Sequence, residues 1–168
     1  MQRRVWLKLG LVTAAGLALV GGGLALRAPA WTAQGLTASG RAVFGAVAGA
    51  VLEGSLPEDG AARSQALAGW YQRLDESIAA LPPHTQAELA QLLSVLASAP
   101  GRWAVAGLSA DWPEATVAQV RAALLDMRHS RVALRQQAYL ALRELTCAAY
   151  FADPDSWMAL GYPGPMDL

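Results

Sequence analysis

One stretch decides the fold of this chain, and it reads LAGWYQRLDESIAAL from Leu67 to Leu81. Its apolar residues recur every three or four positions, which places them along one face of a helix. These residues are Leu67, Trp70, Tyr71, Leu74, Ile78 and Leu81. Polar residues fill the other positions, and Pro82-Pro83 ends the pattern. The stretch therefore predicts an amphipathic helix that buries one stripe against its neighbours.

A helix is also predicted on each side of this stretch. Thr37 is a candidate N-cap for the preceding helix, which ends near the turn at residues 56–60. Thr85 and Glu88 have the spacing of a capping box for the following helix, and Pro100-Gly101 ends it. The apolar positions are Val43, Phe44, Val47 and Val51 in the preceding helix and Leu89, Leu92, Leu93 and Leu96 in the following one.

The second half of the chain predicts two more helices after an irregular segment. Residues 101–115 contain Trp103 and Trp112 but show no periodicity. The fourth helix carries Val117, Val120, Leu124 and Met127. The fifth, from about Ser130 to Tyr150, is apolar around much of its circumference, which indicates a central position. No stretch alternates polar and apolar residues over the length of a strand. We therefore expect an all-α bundle of about five helices over residues 36–168, with a short C-terminal helix and an extended Pro/Gly-rich tail.

The first 30 residues have the layout of an export signal. The candidate export residues are Arg3, Arg4, Trp6, Leu7 and Lys8. They are similar to the R-R-x-F-L-K pattern of twin-arginine signals, with Trp6 in place of Phe. An apolar run of 18 uncharged residues and Ala28-Pro29-Ala30, a candidate cleavage site, follow. The alternative is an uncleaved membrane anchor. In both cases we expect the body in the periplasm or on the periplasmic face of the inner membrane.

The composition of the body argues against several classes of partner. Residues 31–168 hold nine arginines and 13 acidic residues, a formal charge of −4. An acidic body of this kind argues against nucleic acid and against general adhesion to an anionic lipid surface. Cys147 is the only cysteine, so an internal disulfide is impossible, and its apolar helical surroundings predict a buried and inert thiol. The length suits one domain with a real core.

The motifs of catalysis and cofactor binding are missing from the sequence. It contains no Cys-x-x-Cys-His, no cysteine set for zinc or an iron–sulfur cluster, and no dinucleotide-binding glycine motif after a strand. His84 and His129 lie far apart, and we expect both on the surface. Ser130 follows His129 directly, but adjacent helical residues point in different directions, and no glycine elbow surrounds the serine. We therefore expect no catalytic, metal or cofactor site in this chain.

Three arginines near the junction of the fourth and fifth helices form a candidate cationic edge. Arg128, Arg131 and Arg135 are spaced i, i+3 and i+7. Such an edge is either a solvated face or a docking edge for an acidic partner.

The C-terminal segment from Tyr150 to Pro165 is rich in aromatics, prolines and glycines. Asp153 as N-cap and Pro154 as the first helical residue predict a short helix that Gly161 ends. The stretch that follows, Tyr162-Pro163-Gly164-Pro165, is stiff. We expect Tyr150 and Phe151 to face the core and Trp157 and Tyr162 to face a partner, since rigid aromatics often anchor interfaces. The alternative is that these aromatics close the core of the bundle itself.

At these residues the chain resembles a known family. The pattern Tyr-Phe-x-Asp-Pro-x-x-Trp-x-x-x-Gly-Tyr-Pro-Gly-Pro, from Tyr150 to Pro165, looks like the C-terminal signature of the gluconate 2-dehydrogenase subunit 3 family. The resemblance extends to the N-terminal signal, to the first helix with its closing Leu-Pro turn, and to residues 128–165. It implies a small helical subunit that accompanies a large flavin-dependent dehydrogenase of the glucose–methanol–choline type, often with a cytochrome c subunit.

The resemblance implies a non-catalytic role. The flavoprotein would hold FAD, the cytochrome would hold haem c, and this chain would hold neither. It would supply the signal that the twin-arginine export machinery recognises, with the membrane reached through the N-terminal segment. Asp153, Pro154, Trp157, Gly161, Tyr162 and Pro163 would then shape the partner interface. The alternatives are a stand-alone exported helical protein, either a membrane-anchored structural protein or a small enzyme of an unrecognised kind.

Overall fold

The computed structural model describes residues 29–158 and 161–162, and this part of the chain is an all-α bundle, as predicted. Two short strands, β1 and β2, precede the helices, and a π-helix, π1, interrupts their series. The bounds are β1 Trp31–Thr32, β2 Gly35–Leu36, α1 Ala38–Val51, α2 Gly60–Ala79, α3 Pro83–Ala97, α4 Ala99–Gly101, π1 Arg102–Ala106, α5 Val117–His129, α6 Ala133–Phe151 and α7 Asp155–Met158. The predicted export residues lie outside the described residues.

The bundle is built around α1. This helix packs against α3, α5 and α6, while α2 packs mainly against α6. Val43, Phe44 and Val47 of α1 are fully buried. Because α6 also contacts α5, it packs against three of the other long helices, in agreement with the central position predicted from its apolar circumference. Burial of this apolar surface is the main favourable contribution to folding.

Most of the stretch from Leu67 to Leu81 lies in α2, and its predicted apolar stripe faces the core. Trp70, Leu74 and Ile78 are fully buried, whereas Leu67 and Tyr71 pack at the edge. The indole Nε1 of Trp70 donates to the Thr146 carbonyl of α6 at 3.1 Å, so the buried ring has no unpaired polar group. The stripe therefore joins α2 to α6 by packing and by a hydrogen bond.

A short hairpin with two residues in each strand begins the described part of the chain, and the sequence did not predict it. Trp31 pairs with Leu36 and Thr32 with Gly35, and Gly35 adopts a φ of 108° that favours glycine. Side chains of distant helices complete the hydrogen bonding: the Ala30 amide donates to Ser94 Oγ at 3.2 Å, and the Leu36 amide to Asp75 Oδ1 at 2.8 Å. The hairpin is too short to produce a visible alternation in the sequence.

The predicted capping box of α3 is wrong. The helix begins at Pro83 with Pro82 in the N-cap position, so Thr85 lies inside the first turn. Proline is well suited to a first helical position because it has no amide hydrogen to satisfy. A capping box exists instead at α5, where Thr116 Oγ1 accepts from the Gln119 amide and Gln119 Oε1 accepts from the Thr116 amide. The Thr-x-x-Gln spacing was the signal for it.

Residues 99–106 are helical, although the sequence predicted an irregular segment from residue 101. The chain turns sharply at Ser98, which caps α4 through a bond from the Gly101 amide, and then continues into π1. Gly101 is required by close packing, since a Cβ there would lie 2.1 Å from the Val95 carbonyl oxygen. The sequence shows no helical period here because the segment changes its number of residues per turn.

The loop between π1 and α5 carries Trp112, which is buried. Its indole Nε1 donates to the Leu96 carbonyl at 2.8 Å, which attaches the loop to the end of α3.

Over residues 29–158 and 161–162, no helix combines the length and the apolar character needed to span a bilayer.

Candidate functional site: the C-terminal cap

The C-terminal end of α6 is fixed to the rest of the bundle by two long-range hydrogen bonds. The Tyr150 hydroxyl donates to the Ser55 carbonyl at 2.5 Å, and Arg73 Nε of α2 donates to the Ala149 carbonyl at 2.9 Å. Tyr150 is buried and meets the Phe151 ring edge to face, with centroids 5.2 Å apart. The expectation that Tyr150 belongs to the core is therefore confirmed.

Asp153 connects the short helix α7 to α2 through both of its carboxylate oxygens. Oδ1 accepts from the Asp155 amide at 3.2 Å, and Oδ2 lies 3.0 Å from Arg73 Nη2. Asp153 therefore satisfies an amide at the start of α7, as its predicted capping role requires. The helix begins at Asp155, one position later than the sequence indicated for Pro154. Arg73 bonds to both Ala149 and Asp153, a role that no sequence pattern indicated, because α2 is distant along the chain.

Gly161 and Tyr162 form a C-cap of the Schellman type after α7. Gly161 has a φ of 70°, and the Tyr162 amide donates to the Trp157 carbonyl at 3.1 Å, five residues back. The apolar contact that accompanies this motif is present, since the Trp157 and Tyr162 rings lie 5.5 Å apart between centroids. The predicted role of Gly161 in ending the helix is confirmed.

The Trp157–Tyr162 pair is held in place and remains accessible. Trp157 is half-buried, and its Nε1 donates to the Phe151 carbonyl at 2.8 Å. Tyr162 is 50% exposed. The Trp157 ring is therefore held by its own hydrogen bond, and the Tyr162 ring by the backbone turn and by contact with Trp157, while part of their surface faces solvent. This is the arrangement expected of an interface anchor. We call Asp153, Pro154, Trp157, Gly161 and Tyr162 the C-terminal cap; Pro163 lies outside the described residues.

Burial and charge affect the titratable groups near the cap. Burial raises the pKa of the Tyr150 phenol, and Asp153 raises it further, while Arg73 opposes the shift. Burial also raises the pKa of the half-buried Cys147 thiol, with Glu144 adding to the effect and Arg143 opposing it. A raised pKa keeps the thiol protonated at neutral pH and lowers its reactivity. The sequence predicted a buried and inert cysteine; Cys147 is only half-buried, and the direction of its pKa shift favours low reactivity.

The three arginines of the predicted edge do not lie together on one face. Helix α5 ends at His129 and α6 begins only at Ala133, so the spacing does not run along a single helix. Arg135 is turned inward: its Nε donates to the Val105 carbonyl at 2.7 Å, and its Nη2 pairs with Asp126 at 2.7 Å. The expectation of one shared edge is therefore wrong for Arg135. Arg128 and Arg131 are exposed.

Two concave regions lie away from the cap. A groove of about 60 Å³ lies between α3 and α6, with Leu89, Leu92, Ala138 and Leu145 among its mostly apolar lining. A larger cleft of about 340 Å³ lies beside α1, where Tyr71 and Trp112 flank a row of alanines and glycines.

His84 and His129 are both exposed, as predicted. Within the described ranges, no group of three or more histidine, cysteine or carboxylate side chains is arranged to hold a metal ion.

Comparisons with protein-family models, with curated proteins and with solved structures returned no match to this chain.

Proposed function

We propose that this chain is a non-catalytic small subunit of an exported FAD-dependent dehydrogenase complex, with sugar or alcohol oxidation carried out by the large partner. The chain supplies the twin-arginine signal for export of the folded flavoprotein and stabilises it. A cytochrome c subunit is the expected third component. The complex then lies in the periplasm or on the periplasmic face of the inner membrane.

The observation that carries this proposal is the C-terminal cap. The Trp157–Tyr162 pair is fixed by the Gly161 cap and by the Trp157 indole bond, yet half of Tyr162 faces solvent. Two aromatic rings that are already ordered lose little conformational entropy when a partner covers them. The same residues belong to the sequence pattern that resembles the dehydrogenase small subunits, so the geometry and the resemblance support one surface.

A charge-conserving change in the signal tests the export role. We expect Arg3→Lys with Arg4→Lys to leave both this chain and its flavoprotein in the cytoplasm, because twin-arginine recognition requires the paired guanidinium groups. Cell fractionation with flavin fluorescence in each fraction measures the outcome. The control is Arg27→Lys, which keeps the charge and leaves the pair intact. If the active flavoprotein still reaches the periplasm in the double variant, the escort role is wrong.

A change in the cap tests the interface. Trp157→Ala should weaken copurification of the large subunit, because it removes the inner ring of the Trp157–Tyr162 pair. Leu140→Ser is a matched control, since Leu140 is a 41% exposed apolar residue on α6. The visible spectrum of the copurified material reports the flavin, and far-UV circular dichroism reports the fold. Complete unfolding of the Trp157 variant would support the alternative in which this aromatic closes the core.

The rival functions give different results in the same purification. A stand-alone enzyme would carry a stoichiometric metal or cofactor in the purified single chain. A membrane-anchored structural protein would show the mass of the uncleaved chain and no flavin bands in any complex. Flavin bands that arrive together with a second polypeptide, and that are lost with Trp157→Ala, support the accessory subunit.

A further inference from the structure

Trp103 is the most exposed large apolar side chain in the part of the chain that the structure describes. It is 69% exposed, whereas its neighbours Arg102, Val105 and Ala106 on π1 are buried. Packing inside this bundle does not account for an indole that faces solvent, since the other side of π1 already fills the space against α3, α5 and α6. An exposed tryptophan on a fixed segment is typical of a contact with something outside the fold.

The π-helix that carries Trp103 is fixed to the first turn of α6. Arg135 donates to the Val105 carbonyl at 2.7 Å, and a Cβ on Gly107 would lie 3.4 Å from Arg135 Nη2. The Gly107 amide in turn donates to the Trp103 carbonyl at 3.0 Å, so Trp103 lies one helical turn before this junction. Trp103 therefore lies on a segment that contacts both α5 and α6, one helical turn before the bond to the first turn of α6.

The turn between α5 and α6 is exposed and carries positive charge. Val132 is 55% exposed, and Arg128 and Arg131 are exposed on either side of Ser130. The nearest acidic side chain on α5, Asp126, is already paired with Arg135. Among the described residues neither Arg128 nor Arg131 forms an ion pair, so both charges are available. We call Trp103, Arg128, Arg131 and Val132 the α5–α6 corner.

We propose that the α5–α6 corner binds the headgroup region of a bilayer that contains anionic phospholipid. An indole prefers the membrane interface because its ring is apolar and its N–H remains hydrated, and guanidinium groups bind lipid phosphates. Neither of the two concave regions described above is lined by these four residues, and a bilayer surface needs no pocket on the protein that binds it. This contact is separate from the C-terminal cap, and it goes beyond the function proposed above.

The point at which the chain enters the described fold agrees with this proposal. The chain enters the described fold at Ala30, whose amide is bonded to Ser94 in the second half of α3, and α4 and π1 follow directly after the end of that helix. Before Ala30 the sequence contains the uncharged run from Leu9 to Leu26, which would bring the chain to a membrane. The overall acidity of residues 31–168 does not oppose a local contact, because screening limits electrostatic effects to about 10 Å at 0.1 M salt.

Quenching by brominated lipid tests the contact in the full chain. The protein is reconstituted into vesicles of phosphatidylethanolamine and phosphatidylglycerol whose acyl chains carry bromine just below the headgroups. Bromine quenches tryptophans that touch it, and Trp103 is one of six in the chain. We expect wild type to lose more of its emission than Trp103→Phe. We also expect the double variant Arg128→Gln, Arg131→Gln to bind the vesicles more weakly. Its affinity should fall about fivefold for each arginine removed.

Arg143→Gln is the matched control, because Arg143 is an exposed arginine on α6 away from the corner. It should leave the quenching unchanged, and vesicles of phosphatidylcholine alone should quench Trp103 less than the anionic vesicles do. Far-UV circular dichroism confirms that each variant is folded. Equal quenching of wild type and Trp103→Phe in anionic vesicles overturns the proposal. It is also overturned if the double arginine variant loses the flavoprotein partner but keeps its quenching, which would identify the corner as a protein contact.

Discussion

At the scale of single residues, Gly161 decides how the chain leaves α7. Its φ of 70° lies in the left-handed region, where a side chain is strained and glycine is not. This conformation lets the Tyr162 amide reach back to the Trp157 carbonyl and brings the two rings together. The exposed aromatic pair of the C-terminal cap therefore depends on a residue that has no side chain.

We expect Gly161→Ala to destabilise the cap by about 1 kcal/mol through backbone strain alone. A Cβ at this position would meet no atom of the described residues within 4 Å, so the expected cost comes from the backbone conformation. The measurement is hydrogen exchange of the Tyr162 amide, which should become roughly fivefold faster. Gly161→Asn is the control, since asparagine tolerates the left-handed region better than alanine does. Unchanged protection of the Tyr162 amide in the alanine variant would mean that the cap is held without this turn.

At the scale of elements, the sequence predicted the helices whose apolar residues repeat with the α-helical period. It missed the segment in which the number of residues per turn changes. The stripe of α2 was visible because its apolar residues repeat over several turns, and the structure buries Trp70, Leu74 and Ile78 as expected. The segment from Ala99 to Ala106 was missed because α4 is three residues long and π1 has a different period. Its stability comes from close approach to α3 and not from a repeated pattern.

We expect Gly101→Ala to lower the free energy of unfolding by about 3 kcal/mol. The new Cβ would lie 2.1 Å from the Val95 carbonyl oxygen and 2.7 Å from Val95 Cγ1, and the backbone oxygen cannot turn away as a side chain could. Urea denaturation followed by circular dichroism measures the change.

The matched control for Gly101 is Gly60→Ala, the same substitution at the first residue of α2. In the part of the chain that the structure describes, no atom lies within 4 Å of a Cβ built on Gly60, and alanine has the higher helix propensity. This variant should be neutral or more stable by up to about 1 kcal/mol. Similar losses of stability in the two variants would contradict the close approach of α4 to α3.

At the scale of the whole molecule, the contacts that hold the candidate site lie beyond the reach of sequence patterns. Asp153 was recognised as a cap because its amide partner is two residues away, but its ion pair with Arg73 joins residues 80 positions apart. Arg135 was assigned to a cationic edge because of its i, i+7 spacing from Arg128, whereas it bonds to the Val105 carbonyl, 30 residues away. Spacing along the chain predicts which side chains share a helix face and which residues cap a helix. It does not predict which distant side chains pair, because that depends on how the helices pack together.

The packing of α2 on α6 through Trp70 is expected to contribute strongly to the stability of the bundle. The Trp70 side chain is fully buried, and its Nε1 bonds the Thr146 carbonyl, 76 residues further along the chain. We expect Trp70→Ala to lower the free energy of unfolding by about 3–5 kcal/mol, because it leaves a large cavity and an unpaired carbonyl. The measurement is urea denaturation followed by the helical signal.

Trp103→Ala is the control for Trp70, since it removes the same side chain from a 69% exposed site. Its effect on the free energy of unfolding should stay within about 0.5 kcal/mol. The contrast tests whether the described helices unfold as one unit. They share one core, so the loss of Trp70 should destabilise all of them together. The helices that contribute to this core include α1, α2, α3, α5 and α6. If Trp70→Ala melted only part of the helical signal and left a second, stable transition, α2 would be a separate unit and α6 would not depend on it.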